Sequence, residues 1–139
     1  MRRRGLDPEV IPGDHTEESG IRAARTLLDG GRLDGPDAVT AVLASNDRTA
    51  AGFLDTVFRS GVAVPQQMSV VGYDDSRLAR LAYINLTTVA QDVPELARRA
   101  VSTVVGRLAE PGEPADIRLE PRLVIRGTTA PRPAEPGQR

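Results

Sequence analysis

The chain has 139 residues, 40% apolar and 27% charged, with 18 basic against 19 acidic residues and a net charge of −1. That is room for one compact domain with a short appendage, and there is no basic surplus with which it would grip nucleic acid directly. Cysteine and lysine are absent and His15 is the only histidine, which excludes disulfides, cysteine or histidine-rich metal sites, serine–histidine triads, P-loop lysines and Schiff bases. No window reaches the apolar length of a membrane span, and the Met1-Arg-Arg-Arg4 start is not followed by a signal-peptide core. A cytoplasmic protein without membrane contact is the expectation.

In chain order, Asp14-His-Thr-Glu17 has the spacing of a capping box. Ile21, Ala24, Leu27 and Leu28 follow at helical spacing, and Gly30-Gly31 stops the helix. Residues 38–44 form an apolar, β-rich run that predicts a strand buried on both faces. Asp47 is expected to cap a second helix that presents Phe53, Leu54, Val57 and Phe58 and ends at Ser60-Gly61. Pro65 and Gln66 turn the chain into a strand over 69–73, completing a strand–helix–strand unit of the right-handed parallel kind. Residues 76–83 predict a helical turn plus loop, and 86–90 a further strand.

Asp92-Val-Pro-Glu95 opens a third helix, again with capping-box spacing and with proline in its first turn. Leu96, Ala97, Ala100, Val101, Val104, Val105 and Leu108 give it a broad apolar stripe, and Pro111-Gly-Glu-Pro114 ends it. Residues 117–126 are a β run interrupted by Pro121. Residues 128–139 are polar and proline-rich and predict a disordered tail.

Chemistry concentrates at strand ends. Ser-Val-Val-Gly-Tyr-Asp-Asp over 69–75 runs from apolar strand into two carboxylates, and Leu-Thr-Thr-Val-Ala-Gln-Asp over 86–92 ends in an amide and a carboxylate. Strands that deliver polar side chains at their C-terminal ends build the ligand crevice of an open α/β sheet. Asp74 can accept two hydrogen bonds from hydroxyls or ring N–H groups, and Asn46 and Gln91 can each donate or accept. Each has a plainer reading: Asp74 as acceptor for its own turn, Asn46 as a turn residue, Asp47 as a helix cap and Asp75 as a turn or hinge residue. Tyr73 and Tyr83 are expected to pack, and His15 to lie in a solvated loop.

These two motifs, with Ala44-Ser-Asn-Asp-Arg-Thr-Ala-Ala-Gly52, resemble the effector-sensing domain of the lactose/galactose-repressor family of bacterial transcription regulators. The resemblance runs from about Gly5 to Thr128. It implies an α/β fold, the C-terminal lobe of a periplasmic-binding-protein-like sensor with a parallel, doubly wound sheet, incomplete because its first strand is missing. It implies residues 1–91 as that lobe, 92–127 as a crossover helix and strand belonging to an absent N-terminal lobe, and 128–139 as tail. Asp74, Asn46 and Gln91 match positions that face the effector cleft, with Asp47 and Asp75 behind them. Phe53, Leu54, Val57, Leu78 and Ala82 fall on the family's dimer surface. The partners implied are a small sugar-like or nucleobase-like effector and a second copy of the intact protein; no cofactor and no metal are implied. No helix-turn-helix headpiece is visible, and Asn85 stands where the family usually has proline.

Two other readings compete. A periplasmic-type solute-binding protein shares the fold, but the Gly-Tyr-Asp-Asp context and the lack of a signal segment disfavour it. An enzyme or phospho-acceptor on a doubly wound sheet could use a strand-end aspartate, yet receiver-type sites need a lysine, and no Gly-x-Ser-x-Gly, P-loop or paired catalytic signature is present. A non-enzymatic sensor is the expectation.

Overall fold

The computed structural model describes residues 5, 8–35, 38–109 and 116–131. In chain order the elements are α1 (Glu17–Asp29), β1 (Ala41–Leu43), α2 (Asp47–Arg59), β2 (Ser69–Asp74), a 3-10 turn (Leu78–Arg80), β3 (Thr87–Ala90), α3 (Val93–Ala109) and β4 (Arg122–Val124). The four strands make one sheet in the order β1-β2-β3-β4. The first three are parallel, and β4 runs antiparallel to β3 with Thr88 opposite Val124. The sheet is therefore mixed rather than wholly parallel.

Glycine lets the two packed helices, α1 and α2, approach. A Cβ on Gly20 would lie 2.0 Å from the Thr49 carbonyl oxygen, and one on Gly52 would lie 2.2 Å from that of Glu17. Backbone thus touches backbone at the crossing, where any side chain would force the helices apart. The core lies between this helix pair and the sheet: Ala24 and Leu27 from α1, Phe53, Leu54 and Val57 from α2, and Met68, Val70 and Leu86 from the strands or just before them. Phe53, Leu54 and Val57 are thereby withdrawn from the expected dimer surface. Leu54 is only 2% exposed, and a side chain filling the core cannot also meet a partner. Among the residues assigned to that surface, Leu78 is half-buried and Ala82 is exposed.

The first two of the three capping assignments shift. Thr16, not Asp14, caps α1, its hydroxyl accepting from the Ser19 N–H at 3.2 Å. Asp14 instead accepts from the Thr16 hydroxyl and from Arg22. That hydroxyl is the main reason its carboxyl sits well below the usual range. Asn46, not Asp47, caps α2.

The strand at 38–44 is shorter and barer than expected. β1 is the first strand of the sheet, Ala41 is exposed and Leu43 is 69% exposed. No strand lies beyond it among the described residues, so its outer edge is left unpaired. Alternation along β2, with Val70 and Gly72 buried and Val71 and Tyr73 half-buried, likewise marks one well-covered face. Of the run at 117–126 only Arg122–Val124 is strand, starting directly after Pro121, which has no N–H for a ladder.

The C-terminal segment departs furthest from expectation. Residues 128–131 are not a free tail. Thr128 is buried, donates its hydroxyl to the Val70 carbonyl at 2.7 Å, and accepts from the Thr87 N–H at 2.9 Å. Its own carbonyl accepts from the Val70 N–H. The segment is pinned because it fills the polar positions between β2 and the start of β3. The remainder of the expected tail (132–139) and the expected helix terminator (111–114) lie outside the described residues.

Helix α3 begins as the sequence suggests, with the Asp92 carboxylate accepting from the Glu95 N–H at 3.0 Å. Its apolar stripe stays open: Leu96, Val101, Val104, Val105 and Leu108 are all exposed, Leu108 by 83%.

Candidate functional site

Parallel pairing sets the C-terminal ends of β1, β2 and β3 along one edge of the sheet. Asn46 follows β1, Asp74 ends β2 and Gln91 follows β3. Asp74 and Gln91 meet, the Gln91 amide donating to Asp74 Oδ1 at 3.0 Å, and both are exposed to solvent. This pair presents a carboxylate and an amide oxygen with open valences, an arrangement suited to hydroxyl or N–H donors on a ligand. Asn46 is committed otherwise: its oxygen accepts from the Thr49 N–H at 2.8 Å, and its amide donates to the His15 carbonyl at 2.9 Å. It ties the start of α2 to the start of α1.

Asp47 is the most buried carboxylate of the site, 1% exposed. Its two oxygens accept from the Thr88 hydroxyl at 2.5 Å and from the Ser76 N–H at 2.6 Å. One side chain thus links α2, the turn after β2 and strand β3. Gly72 makes this possible, since a Cβ there would sit 2.4 Å from Asp47 Oδ1. The glycine of Gly-Tyr-Asp-Asp clears a path for a carboxylate from the neighbouring helix.

Asp75 holds the same turn from the other side. Its carboxylate takes Arg126 on one oxygen at 2.5 Å and Arg80 on the other at 2.8 Å. Burial by itself would push this carboxyl up; hydrogen bonds from Arg126 and then Arg80 outweigh it and hold the group below the usual carboxylate range. Asp74 and Asp75 both have positive φ, 113° and 51°. Residues other than glycine rarely adopt that region, so the turn needs external bonds to persist.

Gly72, Thr88 and Arg126 escape sequence reasoning because their roles depend on partners 13 to 51 residues away. A glycine inside a strand pattern does signal close approach, and that signal points to Gly72.

A hollow of about 770 Å³ lies elsewhere, along the outer side of β1 between the 8–13 segment and Phe53. Tyr73 and His15 reach it, whereas Asp74 and Gln91 do not line it. Among the described residues no cluster of His, Asp or Glu could hold a metal ion, and no helix is long and apolar enough to cross a membrane.

Sheet order and strand-end chemistry define a class, the periplasmic binding protein-like domain, whose family pattern matches residues 1–129; the chain belongs to that family. Within it, the chain is similar to LacI-type transcriptional regulators along nearly its whole length. It is 34% identical to the HTH-type transcriptional regulator reg1 of Streptomyces lividans, over 99% of this chain and 38% of that protein. It is 35% identical to the repressor CytR of Escherichia coli, over 93% of the chain and 38% of the repressor. Among solved structures, a LacI regulator from a Rhodococcus species superposes with a TM-score of 0.82 at 42% identity, covering 94% of this chain and 47% of that one. The CelR–cellobiose complex gives 0.80 at 34%, covering 91% and 38%. An Enterococcus faecium regulator with bound ribose gives 0.74 at 29%, covering 86% and 42%. The chain spans about two fifths of the length of the curated relatives it matches.

Proposed function

We propose that this chain supplies one wall of the effector pocket of a LacI-type transcriptional regulator, and that Asp74 and Gln91 are its principal effector contacts. The observation that carries this is the hydrogen-bonded Asp74–Gln91 pair, exposed at the C-terminal edge of three parallel strands. Its acceptor-rich chemistry suits a sugar-like or nucleobase-like ligand, and relatives of known structure hold cellobiose and ribose. Asn46 contributes by fixing the α1 and α2 starts beside that edge, with whatever valence its capping bonds leave open. Asp47 and Asp75 support the turn that bears Asp74.

In the intact regulator the exposed stripe of α3 and the open side of β1 receive the other lobe, and the assembly is a cytoplasmic homodimer. Effector binding then shifts the balance between lobe orientations and thereby alters DNA binding elsewhere in the regulator. No covalent chemistry is involved. Net charge −1 leaves nucleic-acid contact to other parts of the protein.

The test is a nuclear magnetic resonance titration of the chain with cellobiose and with ribose. Shift changes should centre on residues 72–75 and 91, with weak affinity because one wall leaves a ligand half solvated. Asp74→Ala removes a charged hydrogen-bond partner worth about 1.5–3 kcal/mol and should abolish those changes. Changes that survive in Asp74→Ala, or that map to the hollow beside β1, would reject the assignment.

A further inference from the structure

We infer that Arg126 is the positioning residue of the strand-end site: by clamping Asp75 in its left-handed backbone it fixes where the neighbouring Asp74 carboxylate points. This deepens the reading of Asp74 and Gln91 as effector contacts and rests on it. Two consecutive residues with side chains at φ 113° and 51° will not hold that turn unaided. The restraints fall on three groups. The Ser76 N–H is bound by Asp47, the Asp75 N–H leans on the Thr88 hydroxyl at 3.4 Å, and the Asp75 carboxylate is gripped by two arginines.

The arginines are not equivalent. Arg80 is 63% exposed, so its ion pair is screened by solvent and contributes little. Arg126 is 17% exposed and is itself anchored. Its other guanidinium nitrogen donates to the Leu86 carbonyl at 2.8 Å, and its N–H donates to the Thr87 hydroxyl at 2.9 Å. A guanidinium held at both ends is a rigid fork, so Asp75 is placed relative to β3, the strand that leads to Gln91. Arg126 follows β4 and makes no hydrogen bond to Asp74 or Gln91; its link to the pair runs through Asp75.

The experiment uses the 139-residue chain and three variants: Arg126→Gln, Arg126→Lys and Arg80→Gln. Amide hydrogen exchange at Asp75 and Ser76 is read against helix amides of α1 and α2. Arg126→Gln should speed exchange at Asp75 and Ser76 by about tenfold or more without moving the helix amides, because the turn opens locally. Arg126→Lys, which keeps the charge, should recover part of that protection, and Arg80→Gln should stay near the parent. For whichever of cellobiose and ribose the parent binds, Arg126→Gln should weaken affinity by about tenfold, the usual loss when a charged contact is misplaced. Unchanged exchange at Ser76 overturns the inference. So does equal acceleration throughout the helices, or local opening with unchanged sugar affinity. If the parent binds neither sugar, that counts against the effector reading, and the exchange data still decide whether Arg126 sets the turn.

Discussion

At the scale of single residues, the site is two carboxylates in service of a third. Asp47 is buried with both oxygens occupied, and replacing it removes the acceptor for two donors at once. Asp47→Ala should cost about 1–3 kcal/mol from the stranded Ser76 N–H and Thr88 hydroxyl, read as a lowered urea midpoint at constant slope. Asp47→Asn, which keeps the volume and one acceptor oxygen, should lose less; equal losses would mean that the lost carboxylate oxygen and charge, rather than the cavity left by alanine, carry the effect. Asp75 carries a pH signature. Its carboxyl lies below the usual value near 3.8, so the unfolded chain binds the proton more readily than the folded one. The resulting stability is present above about pH 4 and is lost as pH falls through the lower folded value. Asp75→Asn should therefore flatten the acid limb of stability against pH, and an unaltered limb would assign acid sensitivity elsewhere. The neighbouring choice between Asn46 and Asp47 shows what a sequence leaves open. Both are good capping residues, and only a serine N–H and a threonine hydroxyl, 29 and 41 residues away, draw Asp47 inward and leave the cap to Asn46.

At the scale of elements, α1, α2, β2, β3 and the start of α3 were legible because each carries a local signal: an apolar period, a stop glycine, a β-rich run ending in turn residues. Burial of the α2 stripe was not. Phe53, Leu54, Val57 and Phe58 span more than one core face would need, and the spacing alone cannot say which of them faces outward. The structure leaves only Phe58 substantially exposed. Leu54→Arg should then unfold the chain, since an unpaired buried charge costs about 4 kcal/mol or more, whereas Phe58→Arg should change stability by about 1 kcal/mol or less. Circular dichroism melts separate the two. A soluble, folded Leu54→Arg protein would return that residue to a surface role. The glycine crossing makes a second demand on these helices. Gly52→Ala must push its methyl into the Glu17 carbonyl, and overpacking of this kind costs about 1–3 kcal/mol in well-packed interiors. Nothing in the helical period marks Gly20 or Gly52 as a crossing point. Each is a residue that lowers helix propensity and is retained for the closeness it permits.

At the scale of the whole molecule, the described residues form a well-knit lobe with one arm, α3, that finds no cover among them. Residues 122–130 return to the sheet through β4, the Arg126 fork and Thr128, which binds β2 and the start of β3 together. This closure was invisible in the sequence, where a polar, proline-rich end reads as tail. Its hydrogen bonds join residues about forty to sixty apart. Helix α3, lying between β3 and that returning segment, gains no such cover, and Val101, Val104 and Leu108 leave their stripe in water. An apolar helix face of this kind is stable only when something removes it from solvent. The isolated chain should therefore self-associate with rising concentration, and its association should grow with temperature over the range where burial of apolar surface is entropy-driven. Replacing the three residues together, Val101→Gln, Val104→Gln and Leu108→Gln, should suppress association while leaving the urea midpoint of the lobe unchanged, because none of them contributes to its core. Sedimentation velocity across a concentration series reads the first effect and denaturant unfolding the second. A monodisperse parent chain would show that α3 finds cover within its own molecule. A triple variant that loses stability along with association would show that the helix belongs to the folded lobe rather than to a missing neighbour.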